Sequence, residues 1–317
     1  MRIAVIGTGW VTGMHLDALK NIEGAEVVAI AGRNRTRLGQ LCAPWSAKPY
    51  ESYLEMLKVE RPDGVLLTLP PHLHGEVEVA CAEYSGAVLV EKPLAQSLEP
   101  AQQALAAFRK AGTLVSVGYQ NRYRAGVRRV KEFFAASSDK PILVQGSWVG
   151  DMPGPAWWRN KAQSGGQFVE QCTHVVDLAR YLVGDIESVQ SFCTEQLSVD
   201  PAVTVESAQV VNARFRSGAL GQFATGCFVE SGFTAGSQIH LTLASRTAVA
   251  RFSTWGFGAT LSYGDQMEVL PSEPDIFETQ ARAWVGAWKT GDRSLVLSDY
   301  ADGLESLKVT LAATCGL

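Results

Sequence analysis

The sequence predicts an α/β protein in two parts. Residues 1–119 read as a doubly wound parallel sheet, and residues 120–317 as an α+β domain built on a large, mostly antiparallel, open-faced sheet. Three observations predict this. Short β-branched runs alternate with stretches of helical periodicity through the first third of the chain, which implies right-handed crossovers. The alternation stops near Gly118, and from Val189 to about Leu270 successive half-polar strands follow, joined by short turns. A chain of 317 residues is also long for a single core.

The first run, Ile3–Ile6, enters Gly7-x-Gly9 and then a helical stretch, Val11–Asn21. In such a strand–turn–helix unit the first glycine permits the tight turn and the second admits a pyrophosphate to the backbone. The third position serves helix–strand packing, and the phosphates rest on free N–H groups. The third position here is Thr12, whose hydroxyl could pack or meet a phosphate. Gly7, Gly9, Trp10 and Val11 are therefore candidate cofactor contacts.

The second run, Val27–Ala31, ends on Gly32, where an acid would hydrogen-bond the adenosine ribose, and Arg33, Arg35 and Arg37 follow. Without the carboxylate a 2′-phosphate is not repelled, and a guanidinium binds it through charge-assisted bonds. NADP(H) is thus favoured, with NAD(H) the alternative; Gly32, Arg33 and Arg37 are the residues concerned. The same arginines also read as the solvated start of a helix.

Helical spacing continues over Tyr53–Lys58, Glu76–Tyr84 and Ala101–Ala111, interleaved with the runs Val65–Leu69, Ala87–Val90 and Leu114–Val117. Leu69, Pro70 and His74 lie where the chain passes the nicotinamide half of a cofactor. His72 and His74 themselves read as helix-entry and loop-packing groups rather than catalysts. Glu91-Lys92-Pro93 stands at the carboxyl end of a buried parallel strand, the edge where ligands bind. A half-desolvated ammonium there orients a substrate hydroxyl and stabilises a developing alkoxide. The alternative is a surface lysine in a turn.

Beyond Gly118 come a basic helix-like stretch around Arg128–Phe134, a strand at Ile142–Trp148 and the loop "GDMPGPAWWRNKAQSGG". Trp157, Trp158 and Arg159 in that loop suit a polyol pocket, or they pack the loop onto a sheet. "FVEQCTHVVDLARYLVG" reads as one amphipathic helix ending on Gly184. It places Glu170, His174 and Asp177 at i, i+4 and i+7 on one face, where a carboxylate tunes a histidine as acid or base. No further group of ligand-type residues with suitable spacing accompanies them, so we expect no metal. The strands "SVQSFCTEQL", "ESAQVVNARF", "ALGQFATGCF", "SQIHLTLAS", "TAVARF" and "ATLSYG" follow, then helices over Ile276–Lys289 and Tyr300–Ala313.

With 46% hydrophobic and 19% charged residues and a net charge of −4, composition is ordinary, which disfavours nucleic acid and anionic membrane as partners. No stretch approaches the ~20 apolar residues of a bilayer span, and the N-terminus lacks a signal-peptide pattern. A cytoplasmic location is expected. Six scattered cysteines, Cys42, Cys81, Cys172, Cys193, Cys227 and Cys315, suit reduced thiols rather than a disulfide or zinc framework.

The segments "GTGWVTGMH", "LPPHLHGE", "VLVEKPLA", "VGYQNRY" and "GGQFVEQCTHVVDLARYLVG" occur in an order and spacing that resembles the Gfo/Idh/MocA oxidoreductase family, over nearly the whole chain. The resemblance implies a Rossmann domain followed by an open-faced domain that often makes oligomers, so a homodimer or homotetramer through the C-terminal sheet is expected. It implies NAD(P)-dependent oxidation or reduction of a sugar, polyol or derivative. Lys92 matches the catalytic lysine and His174 the proton-transfer histidine, while Glu170 replaces an Asp that often accompanies them. Lys92, Tyr119, Arg122, Trp157, Trp158, Glu170 and His174 are the expected substrate residues, and Glu91 and Lys92 join the expected cofactor set. A non-sugar substrate, such as a dihydrodiol or an imine, and a non-catalytic nucleotide-sensing regulator are the alternatives.

Overall fold

A computed structural model describes residues 1–194, 197–233, 236–253, 258–270, 272 and 275–314. Its chain divides into two units: Met1–Gln120 together with Asp275–Leu304, and the rest of the described chain.

The first unit is a six-stranded parallel sheet. Its strands are β1 (Arg2–Ile6), β2 (Glu26–Ala31), β3 (Lys48–Tyr50), β4 (Gly64–Leu67), β5 (Ala87–Val90) and β6 (Leu114–Val117), in the order β3-β2-β1-β4-β5-β6. The crossovers are α1 (Trp10–Leu19), α2 (Arg35–Cys42), α3 (Tyr53–Glu60), α4 (Glu76–Tyr84) and α5 (Leu98–Ala111). The sequence pattern does not announce β3, because it is a three-residue edge strand with an internal proline and no buried side chain. β4, β5 and β6 are buried throughout, as parallel strands covered on both faces must be.

The helix α11 (Ile276–Thr290) also belongs here, although on sequence it reads with residues 120–317. Its Ala281, Trp284 and Val285 join Ile3, Val5, Leu16 and Leu66 in one core. A Cβ on Gly64 would lie 2.9 Å from the Trp284 ring, and one on Gly86 would lie 2.6 Å from Trp288, so α11 rests on backbone at both glycines. The return segment also occupies the free edge of β6. Val117 donates its N–H to Ser298 O at 2.9 Å, and its carbonyl accepts from the Gln280 side chain at 2.7 Å.

In the second unit come α6 (Ala125–Ala136), β7 (Leu143–Asp151), the short α7 (Ala156–Arg159), α8 (Lys161–Ser164) and α9 (Gln167–Glu170), and then α10 (Thr173–Val183). The strands β8 (Ile186–Cys193), β9 (Ala208–Phe215), β10 (Leu220–Val229), β11 (Gln238–Ala244), β12 (Ala248–Ser253), β13 (Gly258–Tyr263) and β14 (Gln266–Leu270) follow. The sheet runs β14-β13-β12-β11-β7-β10-β9-β8, with β7 and β10 parallel and the other described pairs antiparallel. α12 (Tyr300–Ala312) closes the described chain, and the division between units falls inside it.

Strict alternation along β9 buries Val211, Ala213 and Phe215 against Val175, Leu178 and Phe134, while Val210, Asn212 and Arg214 point away from that core. Phe192, Val210, Leu220 and Phe228 all lie exposed.

Two expectations need correction. The single helix expected over 168–184 is broken: α9 ends at Glu170, and Cys172 N–H reaches five residues back to Gln167 O before α10 begins. Of the cysteines, Cys42, Cys81, Cys172 and Cys227 are free and buried, but Cys193 is disulfide-bonded, against the expectation of reduced thiols throughout. Cys315, and Glu195 and Gln196 of the strand expected over 188–197, lie outside the described residues. Among the described residues no helix is long and apolar enough to cross a membrane.

Candidate active site

In the first unit, β1 delivers Gly7 to the centre of the sheet at φ +119°, where a Cβ would stand 2.3 Å from Thr68 O. Only glycine closes this turn. A Cβ on Gly9 would meet nothing within 4 Å, and Gly9, the N-cap of α1, carries no side-chain cap. The start of α1 is thus open at Gly9, where a pyrophosphate would need room. Trp10 is exposed beside them and Val11 half-buried.

Thr12 is fully buried, and its hydroxyl lies 2.9 Å from that of Thr68. Thr68 donates to Ile6 O at 3.2 Å, so Thr12 is the donor of the pair. A hydroxyl contact with phosphate is thereby ruled out: Thr12 binds α1 to the end of β4.

At Gly32 a Cβ would lie 2.3 Å from the Thr8 methyl, so the place of the ribose-binding acid is taken by Thr8. Arg35 pairs with Glu51 at 2.5 Å. Arg37 has its N–H capped by Asn34 and a guanidinium nitrogen 3.4 Å from where a Gly13 side chain would start, which sets it over α1. Arg33 is exposed.

His74 is a structural group. Its Nδ1 lies 2.5 Å from Glu78, its Nε2 lies 3.0 Å from Leu69 O, and the other Glu78 oxygen accepts from Gly75 N–H at 2.6 Å. Both ring nitrogens fix the 69–75 loop, which leaves Leu69 and Pro70, both half-buried, as its lining. Glu91 is equally committed. One carboxylate oxygen faces His15 Nε2 at 2.8 Å, the other accepts from Lys92 N–H at 3.1 Å, and a Cβ on Gly118 would press within 2.8 Å of it. Glu91 therefore fixes the backbone that carries Lys92, which is half-buried and precedes a cis peptide bond to Pro93. Tyr119 is 1% exposed, which places its ring in the core rather than on an open wall.

In the second unit, Arg122 does not serve as an open substrate donor. It is buried and forks onto Asp177, with N···O distances of 2.8 and 2.6 Å, and its guanidinium lies 4.9 Å over Tyr181. Ser306 adds a bond of 2.8 Å to the same carboxylate. Asp177 is thus engaged by Arg122 and Ser306, while Glu170 is buried at the end of α9, across the break from His174, so the two no longer share one continuous helix.

His174 opens α10, 5% exposed, and its ring stacks on Trp148 of β7, with centroids 5.5 Å apart and planes 22° apart. Sequence reasoning passed over Trp148 as one more strand residue; its period-two relation to Gly146 and Val144 was the available signal. Trp157 and Trp158 are half-buried and stack on each other at 5.3 Å. Backbone bonds from Thr204 N and Val205 N to Arg159 O anchor their loop. Among the described residues no group of His, Cys, Asp or Glu could hold a metal ion.

Family models match both halves of the chain. Residues 1–119 match the oxidoreductase family with an NAD-binding Rossmann fold, and residues 135–246 match the GFO/IDH/MocA C-terminal domain. The myo-inositol 2-dehydrogenase of Thermotoga maritima is 30% identical over 227 residues, 70% of this chain and 67% of that one. The scyllo-inositol 2-dehydrogenase (NAD+) of Bacillus subtilis is 30% identical over 237 residues, 70% of this chain and 66% of that one. The WlbA dehydrogenase of Bordetella pertussis, solved with NADH and UDP-GlcNAcA, superposes with a TM-score of 0.83 at 25% identity, covering 99% of this chain and 95% of that one.

Proposed function

The chain belongs to the Gfo/Idh/MocA oxidoreductase family, and from that premise we propose that it oxidises or reduces a secondary carbinol or carbonyl carbon of a sugar, polyol or sugar derivative with a nicotinamide dinucleotide. The opening at Gly9 carries this proposal: a buried strand leads into a helix N-terminus with no side-chain cap and with space at Gly9, where a pyrophosphate would be held. When bound, the dinucleotide supplies a two-electron hydride acceptor or donor.

The chain's own residues supply the rest. Gly7 closes the turn, its own N–H donating to Ala31 O at 3.0 Å, and Gly9 leaves the start of α1 open to the phosphates. Lys92, on the backbone that Glu91 and His15 immobilise, donates to the substrate oxygen and stabilises the alkoxide as the carbon loses hydride. His174 takes the hydroxyl proton in oxidation and returns it in reduction. Glu170 is the carboxylate we assign to orienting that imidazole, with Trp157 and Trp158 covering C–H faces of the substrate.

We further propose NADP(H) as the preferred coenzyme, supported by Gly32, exposed Arg33 and the position of Arg37 over α1. The relatives named with NAD+ or NADH make NAD(H) the competing choice. We also propose a homodimer or homotetramer through the C-terminal sheet, whose Phe192, Val210, Leu220 and Phe228 are exposed, and a cytoplasmic location.

The test is a fluorescence titration with NADPH and with NADH, followed by a panel of polyols and sugars with the preferred coenzyme. Tighter NADPH binding is expected, and turnover should fall by more than about a hundredfold in Lys92→Ala and in His174→Ala, with coenzyme binding little changed in His174→Ala. Preference for NADH defeats the arginine argument, and near-normal turnover in either variant defeats the assigned roles.

A further inference from the structure

α10 lies on β7 with almost nothing between them at one point. A Cβ on Gly146 would stand 2.5 Å from Val175 and 2.8 Å from Phe223, so the helix can approach this closely only because residue 146 is glycine. Side chains two apart on a strand share a face, so Trp148 points to the same side as Gly146 and meets the first turn of α10. There it lies under the His174 ring, at a separation inside the ~6 Å over which an aromatic face attracts a cation. Trp148 is 6% and His174 5% exposed, so neither ring has water to replace the other.

We infer that Trp148 is the positioning residue for His174: its indole face sets the plane of the imidazole and favours the protonated ring. This rests on the proposed role of His174 as the group that holds the substrate proton. A hydroxyl gives up its proton more readily to a base whose cation has a π face beneath it, and the ring needs no reorientation as it charges. An aliphatic side chain at 148 offers no such face.

Other charges face α10 from the elements packed on it. α9 brings Glu170. α6 brings Arg128, Arg129, Lys131 and Glu132, of which Arg129 pairs with Glu268 and Lys131 with Tyr181 O. β7 brings Asp151 at its far end, and β11 brings His240, which alternates with buried Leu241 and therefore points to the opposite face. On α10 itself Asp177 is held by Arg122 and Ser306, and Arg180 by Ser306 and Asp185. Glu170 is accordingly the chief competing influence, and a Glu170→Gln background separates its contribution from that of Trp148.

The experiment follows the imidazole Cε1–H of His174 by NMR through a pH titration of the full chain, the resonance being assigned with His174→Gln. Trp148→Leu should lower the His174 midpoint by about half a unit to one unit, and Trp148→Phe by a smaller step, in both backgrounds. With an identified substrate, kcat should fall about three- to tenfold in Trp148→Leu with KM little moved, and Trp148→Phe should restore most of it. A midpoint unchanged in the folded variants overturns the inference. If the leucine variant does not fold, the phenylalanine variant decides alone, an unshifted midpoint again being fatal. Because the titration needs no turnover, a shifted midpoint with an inert sugar panel sinks the proposed reaction and not this pairing, while turnover with an unshifted midpoint does the reverse.

Discussion

At the scale of single residues, the chemistry-bearing side chains were legible and their partners were not. Glu170, His174 and Asp177 are spaced for one helix face, so a helical wheel offers two carboxylates to one imidazole. It cannot show that Arg122, 55 residues earlier, forks onto Asp177 and removes it from that choice. The hydroxyl of Thr12 is a similar case, since its destination, Thr68, lies 56 residues on. The Arg122–Asp177 pair is 3% and 2% exposed at its side chains, and removing one charge leaves the other buried without compensation. Asp177→Asn should therefore destabilise the protein by about 3–5 kcal/mol, read from the shift of the urea midpoint. A loss under about 1 kcal/mol means that the pair is hydrated in solution.

Between elements, periodicity located the helices and strands but not where they touch or break. The break at Gln171–Cys172 leaves no signature because Phe168, Cys172, Val175, Ala179 and Leu182 keep a helical spacing across it and are all buried; α10 then seats on β7 at Gly146. Gly146→Ala tests that seating. The new methyl meets Val175 and Phe223 well inside van der Waals contact, and a loss of about 1–3 kcal/mol in unfolding free energy is expected. An unchanged midpoint would show that the helix slides aside freely.

The α6–β7 connection depends on a different kind of tie. Asp139 accepts from Ser245 Oγ, Arg246 N, Thr247 N and Thr247 Oγ1, and these bonds, that of the Thr247 hydroxyl foremost, lower its pKa from 3.8 to about 2. A depressed folded-state pKa contributes stability above the unfolded value, and that contribution disappears as pH falls through about 2. Thermal melts of wild type and Asp139→Asn should therefore differ most near neutrality and converge between pH 4 and 2. A gap that stays constant over that range refutes the tie.

For the whole molecule, the class of each half was legible because strand–helix alternation and strand succession are local patterns. The membership of Asp275–Leu304 was not, because an amphipathic helix carries no address. Trp284 is fully buried among residues of β1, β4 and α1, so the first 120 residues lack part of their own core. A fragment ending at Gln120 should bind a hydrophobic dye and melt without a cooperative transition. A sharp calorimetric transition from that fragment alone would show α11 to be dispensable.

The same return of the chain sets a clock on synthesis. When Gln120 leaves the ribosome its unit still waits for α11, and about 150 residues of the second unit must be made first, which takes on the order of ten to thirty seconds. During that interval the cleft that receives Trp284 stands open to water and to neighbouring nascent chains. A growing polypeptide of this kind is a natural client for holding chaperones, and the rate of translation between the two segments becomes a determinant of yield.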